Sequence, residues 1–287
     1  MIDQLRQRLQ ALQKAPGIEG RPDTLPIGIP AIDTMLGGGL ARGTLHEIAA
    51  TGEAHLPAAA GFALWVVALS GAARADRAPS PRRGEGWGEG VLSPLSSLPP
   101  HPTSLRSVDL SPQGRGRRKG LFWITEDMAL AESGVPHGAG FDAFGLAPEQ
   151  LVMVSTTHRR DLLWAMEEAL RCGATTAVIG EMRAGAIDGV AIRRLSLAAA
   201  ECGTLALLLR TEPPGDASTA ATRWVVGAAP SAVPGVPLLA AQLVRNRRGP
   251  TGTWILEWSD CDGQFILTTH AQPLAAPTLD RPHRQIA

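Results

Sequence analysis

The residues best suited to chemistry lie in a glycine-containing turn, Ala49-Ala50-Thr51-Gly52-Glu53-Ala54-His55-Leu56-Pro57. It stands between a predicted strand, residues 44–48, and a predicted uncharged helix, residues 57–70. A phosphate-binding loop in this place needs free backbone N–H groups, a Lys for the β- and γ-phosphates, and a Ser or Thr hydroxyl for Mg²⁺. No Lys, Ser or Thr follows Gly52 before the helix, and the two lysines, Lys14 and Lys119, lie elsewhere. The layout is that of a phosphate loop without its main chemical groups.

Three carboxylates follow other apolar segments. Glu126 and Asp127 come after a predicted strand at residues 120–124, and Glu181 comes after one at residues 177–179. Acids at strand ends can activate water or hold Mg²⁺. They can equally be solvated loop acids, and Glu181 fits a helix N-terminal charge slightly better than a metal ligand. His55, without a partner in the sequence, is typical of a polar turn residue.

Composition limits the classes of function. The formal net charge is zero, and residues 73–119 hold nine basic residues against four acidic ones, so the rest of the chain is net acidic. A basic surface over the whole protein for nucleic acid is therefore excluded. Cys172, Cys202 and Cys261 have no metal-ligand spacing, and the N-terminus has no signal-peptide core, so we expect a reduced, cytoplasmic protein.

The chain divides into four parts. Residues 1–20 contain a predicted amphipathic helix whose apolar stripe must pack on this chain's own core or on a neighbouring subunit. The stripe consists of Ile2, Leu5, Leu9 and Leu12. Residues 21–270 form the predicted core. Within it, residues 73–119 are rich in Pro, Gly, Ser and Arg and are expected to be a disordered, dispensable insert. Residues 271–287 are expected to be a flexible tail.

The core alternates predicted strands and helices and ends in hairpins. Strands are predicted at residues 44–48, 120–124, 151–155, 177–179 and 205–209, and helices at residues 30–36, 57–70, 159–172 and 187–202. Residues 242–245, 253–258 and 264–267 follow as an antiparallel meander. This order predicts an α/β fold with a mainly parallel sheet, an antiparallel edge hairpin and flanking helices. Residues 56–73 are uncharged, but their Ala and Gly content favours a buried helix over a membrane span.

The same segments resemble the core of the RecA recombinase. The likeness is carried by residues 32–48 (IDTMLGGGLARGTLHEI), 122–130, 173–181 and 243–258. With the incomplete phosphate loop and the short, Arg-rich chain, the pattern resembles the ImuA family, RecA-related accessory proteins of bacterial mutasomes. The resemblance implies a RecA-like core with the fold of a P-loop NTPase.

The resemblance also assigns roles to positions. The phosphate-loop lysine falls near His55–Pro57, the catalytic glutamate at Glu126 or Asp127, and the Mg²⁺-holding carboxylate at Glu181. The glutamine that senses the γ-phosphate is matched by Thr211. A lysine pair that reaches a neighbour's nucleotide is matched by Arg245 and Arg247, which form a basic hairpin with Arg248. For these arginines a solvated face, a partner contact and a DNA-phosphate contact all remain open.

The implied function is that of a non-catalytic accessory protein in DNA-damage-induced mutagenesis and translesion synthesis. The implied partners are an ImuB-like relative of the Y-family polymerases, an error-prone C-family polymerase, and RecA itself. The stripe and the basic hairpin are the expected partner surfaces. We expect no catalytic residue, metal or cofactor, with ATP and Mg²⁺ disfavoured, no membrane, and only indirect contact with DNA. Two alternatives remain: an ATPase with an atypical phosphate loop, and a DNA-binding module that uses the arginines.

Overall fold

The computed structural model describes residues 23–72, 120–136, 138–183, 185–213 and 218–268. The predicted N-terminal helix with Ile2, Leu5, Leu9 and Leu12, the predicted insert 73–119 and the predicted tail 271–287 lie outside these residues. All described residues belong to the predicted core, residues 21–270.

The core contains eleven strands and six α-helices within the described residues. The strands are β1 (Thr24–Leu25), β2 (Leu40–Ala41), β3 (Leu45–Ala50), β4 (Gly120–Glu126), β5 (Leu151–Thr156), β6 (Thr175–Met182), β7 (Leu205–Arg210), β8 (Thr222–Ala229), β9 (Leu238–Asn246), β10 (Gly252–Ser259) and β11 (Gln264–Leu267). The helices are α1 (Pro30–Met35), α2 (Leu56–Val67), α3 (Asp127–Ser133), α4 (Gly138–Ala143), α5 (Arg159–Arg171) and α6 (Gly189–Cys202).

Nine strands form one sheet in the order β11-β10-β9-β8-β3-β7-β6-β4-β5. The six strands from β8 to β5 in this order are parallel, and β9, β10 and β11 add to them as antiparallel neighbours. The fold class predicted from the sequence is therefore confirmed. In a parallel sheet the carboxyl ends of the strands meet at one edge, which we call the carboxyl edge; the opposite edge is the amino edge.

Helices cover both faces of the sheet, as a parallel sheet requires. Helix α2 packs on one face, where Phe62 and Trp65 are fully buried with Trp224. Helices α5 and α6 pack on the other face through a second apolar cluster that includes Leu162 and Leu195. Helix α5 lies so close to β6 that a Cβ on Gly180 would overlap the Met166 sulfur.

Helix α2 is uncharged along its whole length. The segment Glu53–Gly71 is long and apolar enough to cross a membrane by length and composition alone, and half of it is buried inside the protein. The helix rests on the sheet, where Trp65 makes a T-shaped contact with Phe265 on the edge strand β11. The predicted buried helix is confirmed, because eight of its twelve residues are buried.

The sequence underestimates the strands. Strand β6 covers residues 175–182 rather than 177–179, and no strand was predicted at β8 or in the first half of β9. The residues 227–237 read GAAPSAVPGVP, and such a run of Gly and Pro is typical of a loop. Pairing with β3 on one side and β9 on the other holds β8 in the sheet all the same.

Candidate functional site

The turn after β3 lies at the carboxyl edge and is closed by its own hydrogen bonds. The Thr51 N–H donates to the Val226 carbonyl at 3.0 Å, and the His55 N–H donates to the Gly52 carbonyl at 2.9 Å. The Ala228 N–H donates to His55 Nδ1 at 3.1 Å. Two backbone N–H groups that a phosphate loop would present to a ligand are therefore used inside the chain, and His55 ties the turn to strand β8.

The start of helix α2 also lacks features that bind anions. A helix N-terminus attracts phosphate through backbone N–H groups that have no partner within the helix. Pro57 in the first turn has no N–H to offer. Leu56, in the region where the phosphate-loop lysine would fall, is 5% exposed and packs in the apolar core. The side chain at this position thus points into the protein instead of toward a ligand.

An arginine that follows β6, the second strand from β3 in the sheet, is bound to the closed turn. Arg183 follows β6 directly, and its guanidinium forms ion pairs with Glu53 in the turn and Glu132 on α3. Its backbone N–H donates to Glu126 Oε2 at 3.2 Å. The side chain of Arg183 is 17% exposed, whereas those of Glu53 and Glu132 are 73% and 51% exposed. The positive charge of Arg183 at this edge is therefore paired with carboxylates of the same chain.

The structure distinguishes the two acids that end β4. Glu126 is largely buried and lies 3.5 Å from the Arg159 Nε in an ion pair, so its interpretation as a solvated loop acid is wrong. Asp127 is exposed and accepts a hydrogen bond from the Thr157 hydroxyl at 2.9 Å. Of the two, Glu126 is the carboxylate that lies among the other groups of this edge.

Glu181 lies inside strand β6 rather than after it. The Trp123 indole N–H donates to Glu181 Oε2 at 2.8 Å, and burial raises the pKa of Glu181 while this hydrogen bond opposes the rise. Its interpretation as a helix N-terminal charge is wrong, because the next helix, α6, begins at Gly189 and is capped by Asp188. No group of three or more metal-ligating side chains occurs in the part of the chain that the structure describes.

Strand β7 contributes a further arginine. Arg210 ends this strand in a buried position and donates to the Gly185 carbonyl, and the following Thr211 is also buried. Sequence reasoning missed Arg159, Arg183 and Arg210 as members of the site. The signal was present, since each lies at or just after the end of a parallel strand, or at the start of the helix that follows one.

The basic hairpin lies at the amino edge, away from the turn. Arg247 donates to the Thr219 carbonyl at 3.0 Å, and Arg248 donates to the Gly37 carbonyl at 3.1 Å. Arg245 stands opposite Arg223 in the β8–β9 ladder. The structure does not bring these arginines together with the nucleotide-site positions of the same chain.

The amino edge contains a buried polar network that sequence reasoning also missed. Glu47 accepts hydrogen bonds from Arg223 Nε at 2.6 Å and from the Ser218 hydroxyl at 2.8 Å. His46 lies between the Thr222 hydroxyl, 2.7 Å from Nδ1, and the Ala41 carbonyl, 2.9 Å from Nε2. Burial lowers the pKa of His46 to about 4, so the ring is neutral at pH 7. A neutral ring that donates from Nε2 to the carbonyl and accepts at Nδ1 satisfies both contacts.

Comparisons with known proteins find similarity among solved structures. No protein-family model matches the chain, and no curated protein matches it. The crystal structure of the RadB recombinase is similar with a TM-score of 0.49 and 13% sequence identity, covering 85% of this chain and 100% of that one. The chain's own sheet shows a mainly parallel α/β fold, in which the strand before the turn, β3, lies at the centre between β7 and β8.

Proposed function

We propose that this protein is a non-catalytic RecA-like accessory factor in DNA-damage-induced mutagenesis, acting in translesion synthesis and the SOS response. It works through protein–protein contacts with an ImuB-like relative of the Y-family polymerases, with an error-prone C-family polymerase, and with RecA. It meets DNA through these partners. The specific pathway rests on the sequence resemblance to the ImuA family.

One observation carries the non-catalytic part of the proposal: the Arg183–Glu53 ion pair closes the turn where a nucleotide would bind. Phosphoryl transfer depends on positive charge and a metal ion placed against the phosphates. Here Arg183 is neutralised by Glu53 and Glu132, and the turn supplies neither a lysine nor a hydroxyl after Gly52. A site of this kind is expected to hold ATP weakly and to leave it intact.

The direct test is calorimetric titration of the purified full chain with Mg²⁺–ATP, together with a phosphate-release assay, alone and with the partner polymerases. We expect no saturable binding up to millimolar ATP and no hydrolysis. An active recombinase serves as the positive control. Saturable micromolar binding would overturn the proposal in favour of an ATPase with an atypical loop.

That second candidate is favoured by one observation. Glu126 and Glu181 are carboxylates on the paired strands β4 and β6, where Thr125 and Glu181 are in register. If they served Mg²⁺–ATP chemistry, Glu181→Gln would abolish activity. We expect Glu181→Gln to leave partner-dependent mutagenesis nearly intact, and its loss in a normally folded variant would favour the ATPase.

The basic hairpin is the proposed contact surface for the partner polymerase relative. Arg245→Glu with Arg247→Glu should weaken capture of the purified ImuB-like partner by at least about tenfold, because charge reversal at a contact opposes association. The matched control is Arg160→Glu, an exposed arginine on α5 that lies away from the hairpin. Equal capture by both variants would remove the hairpin from the interface. A strongly salt-dependent affinity for free DNA would instead assign it to phosphate binding.

A further inference from the structure

An apolar groove lies beside the closed turn, on the face of the sheet that carries α2. It has a volume of about 510 Å³ and runs between the start of α2, the segment after α4 and the β8–β9 loop. Its lining includes Gly61, Phe144, Val236, Leu238, Trp258 and Phe265. We call it the α2 groove.

The walls of the α2 groove favour an apolar occupant. Trp258 forms T-shaped contacts with Phe144 and Phe265, each with ring centroids 5.1 Å apart. Ser231 is a polar residue of the lining, and its hydroxyl already donates to the Val233 carbonyl at 2.9 Å. An amphipathic helix can bind such an apolar groove through its apolar face.

The rim of the α2 groove is acidic. Asp142 precedes the lining residues Ala143 and Phe144, and Asp260 accepts a hydrogen bond from the Trp258 indole at 2.9 Å. Asp262 lies in the same β10–β11 turn. The stretches that form the groove, residues 53–72, 138–150, 226–244 and 252–268, contain no Lys or Arg. The matching occupant is an apolar surface with basic flanks.

The first fourteen residues of the chain, MIDQLRQRLQALQK, have this character. With about 100° between successive helical residues, Ile2, Leu5, Leu9 and Leu12 form one stripe, and Arg6 and Arg8 fall on its two sides. Asp3 falls on the opposite face in the same projection. The stripe would therefore enter an apolar groove with a cation on each side.

The chain can bring this segment to the groove without a second molecule. A Cβ on Gly28 would lie 3.9 Å from the Gln264 side chain, next to Phe265 in the groove wall. At up to about 3.4 Å per residue, Asp23 lies within roughly 30 Å of Phe265. The nine residue-to-residue steps from Lys14 to Asp23 span about the same distance. An intrachain connection is within reach.

We propose that residues 1–14 form an amphipathic helix that seats the Ile2, Leu5, Leu9 and Leu12 stripe in the α2 groove of the same chain. Arg6 and Arg8 face the carboxylates of the rim. The segment then covers Trp258 and Phe144, which the described core leaves partly exposed. This seating does not depend on nucleotide chemistry or on the proposed partners.

The test uses the full chain and a fluorescein-labelled synthetic peptide of residues 1–16, followed by fluorescence anisotropy. The variant Leu5→Asp with Leu9→Asp vacates the groove and should bind the peptide at least about tenfold more tightly than the wild-type chain, where the tethered segment competes at high effective concentration. A peptide with the same two substitutions should not bind.

Substitutions in the groove locate the binding. Added to the vacated chain, Gly61→Leu fills the groove and should weaken peptide binding at least about tenfold. Val236→Asp lies in a loop outside the helices and strands and should also weaken peptide binding. It replaces Gly61→Leu as the test if that variant does not fold. Ala200→Leu on the far face, at an exposed position of α6, is the matched control and should change nothing.

Three results would overturn the proposal. The first is no peptide binding to the vacated chain, and the second is equal binding to the vacated and wild-type chains. The third is concentration-dependent self-association of the wild-type chain that Leu5→Asp with Leu9→Asp abolishes, measured by sedimentation velocity. That outcome would make a second copy the occupant.

Discussion

The two edges of the parallel sheet hold charge in different ways. At the amino edge, Glu47 is 1% exposed and Arg223 is 12% exposed, so the ion pair is withdrawn from water as a whole. At the carboxyl edge, Arg183 is largely buried, but its partners Glu53 and Glu132 remain mostly in solvent. Loss of either partner at the amino edge would strongly lower the free energy of unfolding, because an unpaired buried charge is costly. The ion pairs at the carboxyl edge hold the turn in place but contribute little to the free energy of unfolding.

The largest expected effect comes from breaking the amino-edge pair. Glu47→Ala leaves the Arg223 guanidinium buried without its carboxylate, so we expect a loss of about 3–5 kcal/mol in the free energy of unfolding. Urea denaturation at pH 7 measures it. The matched variant at the carboxyl edge is Glu132→Ala, for which about 1 kcal/mol or less is expected. Similar losses in both variants would contradict the difference between the edges.

The second effect is a pH dependence that belongs to the amino edge. Burial lowers the pKa of His46 to about 4, below the usual value of about 6.5 for the unfolded chain. The unfolded state therefore takes up a proton first, and stability falls as the pH drops from about 6.5 to about 4, by roughly 3 kcal/mol in total. Above pH 6.5 the contribution is constant.

His46→Gln isolates this contribution, since a glutamine can donate to the Ala41 carbonyl and accept from Thr222 without titrating. Urea denaturation measures the free energy of unfolding of both proteins. As the pH falls through this window, the free energy of unfolding should decrease more for the wild type than for His46→Gln. A pH profile unchanged by His46→Gln would refute the assignment.

The third effect concerns conformation more than stability. Arg183→Met removes both ion pairs to the turn, and we expect a loss of only about 1 kcal/mol because the two carboxylates stay solvated. Amide hydrogen exchange within residues 51–57 should nevertheless become faster, since the turn opens locally. Arg160→Met on α5 is the control. Unchanged exchange in the Arg183 variant would show that the hydrogen bonds to β8 alone hold the turn.

The smallest expected effect is a gain. Burial raises the pKa of Glu181, so the native state holds the acid's proton more readily than the unfolded state, and the charged form costs stability as the pH rises through the glutamate range. Glu181→Gln should raise the thermal midpoint at pH 7, while the gain disappears near pH 4. Glu126→Gln should lower the midpoint instead, because it removes the ion pair with Arg159.

Sequence patterns predict the general fold better than the polar interactions. The apolar runs at residues 120–124 and 205–209 predict buried strands because they are short and are bounded by glycine and polar residues. Strand β8 was not predicted. Its last residues, Gly227 to Ala229, are of types depleted in strands, and pairing with β9 keeps them extended.

The sequence predicted which phosphate-binding groups the candidate site lacks. It did not predict the ion pairs that lie there. Arg183 meets Glu53 across 130 positions of sequence, and Arg223 meets Glu47 across 176. Neither pair has a periodic signal, because the register of a parallel sheet decides which side chains meet. The environment of Glu181 also depends on Trp123 from the adjacent strand, so a strand-end interpretation missed its burial.

The inward position of Leu56 limits what a single substitution could do to this turn. A lysine at this position would place an ammonium group in the apolar core beside α2, at a cost of several kcal/mol. Pro57 would still withhold its N–H, and Glu53 would still bind Arg183. Packing therefore keeps a phosphate-binding lysine out of the turn, and no single change at Leu56 would create an anion site there.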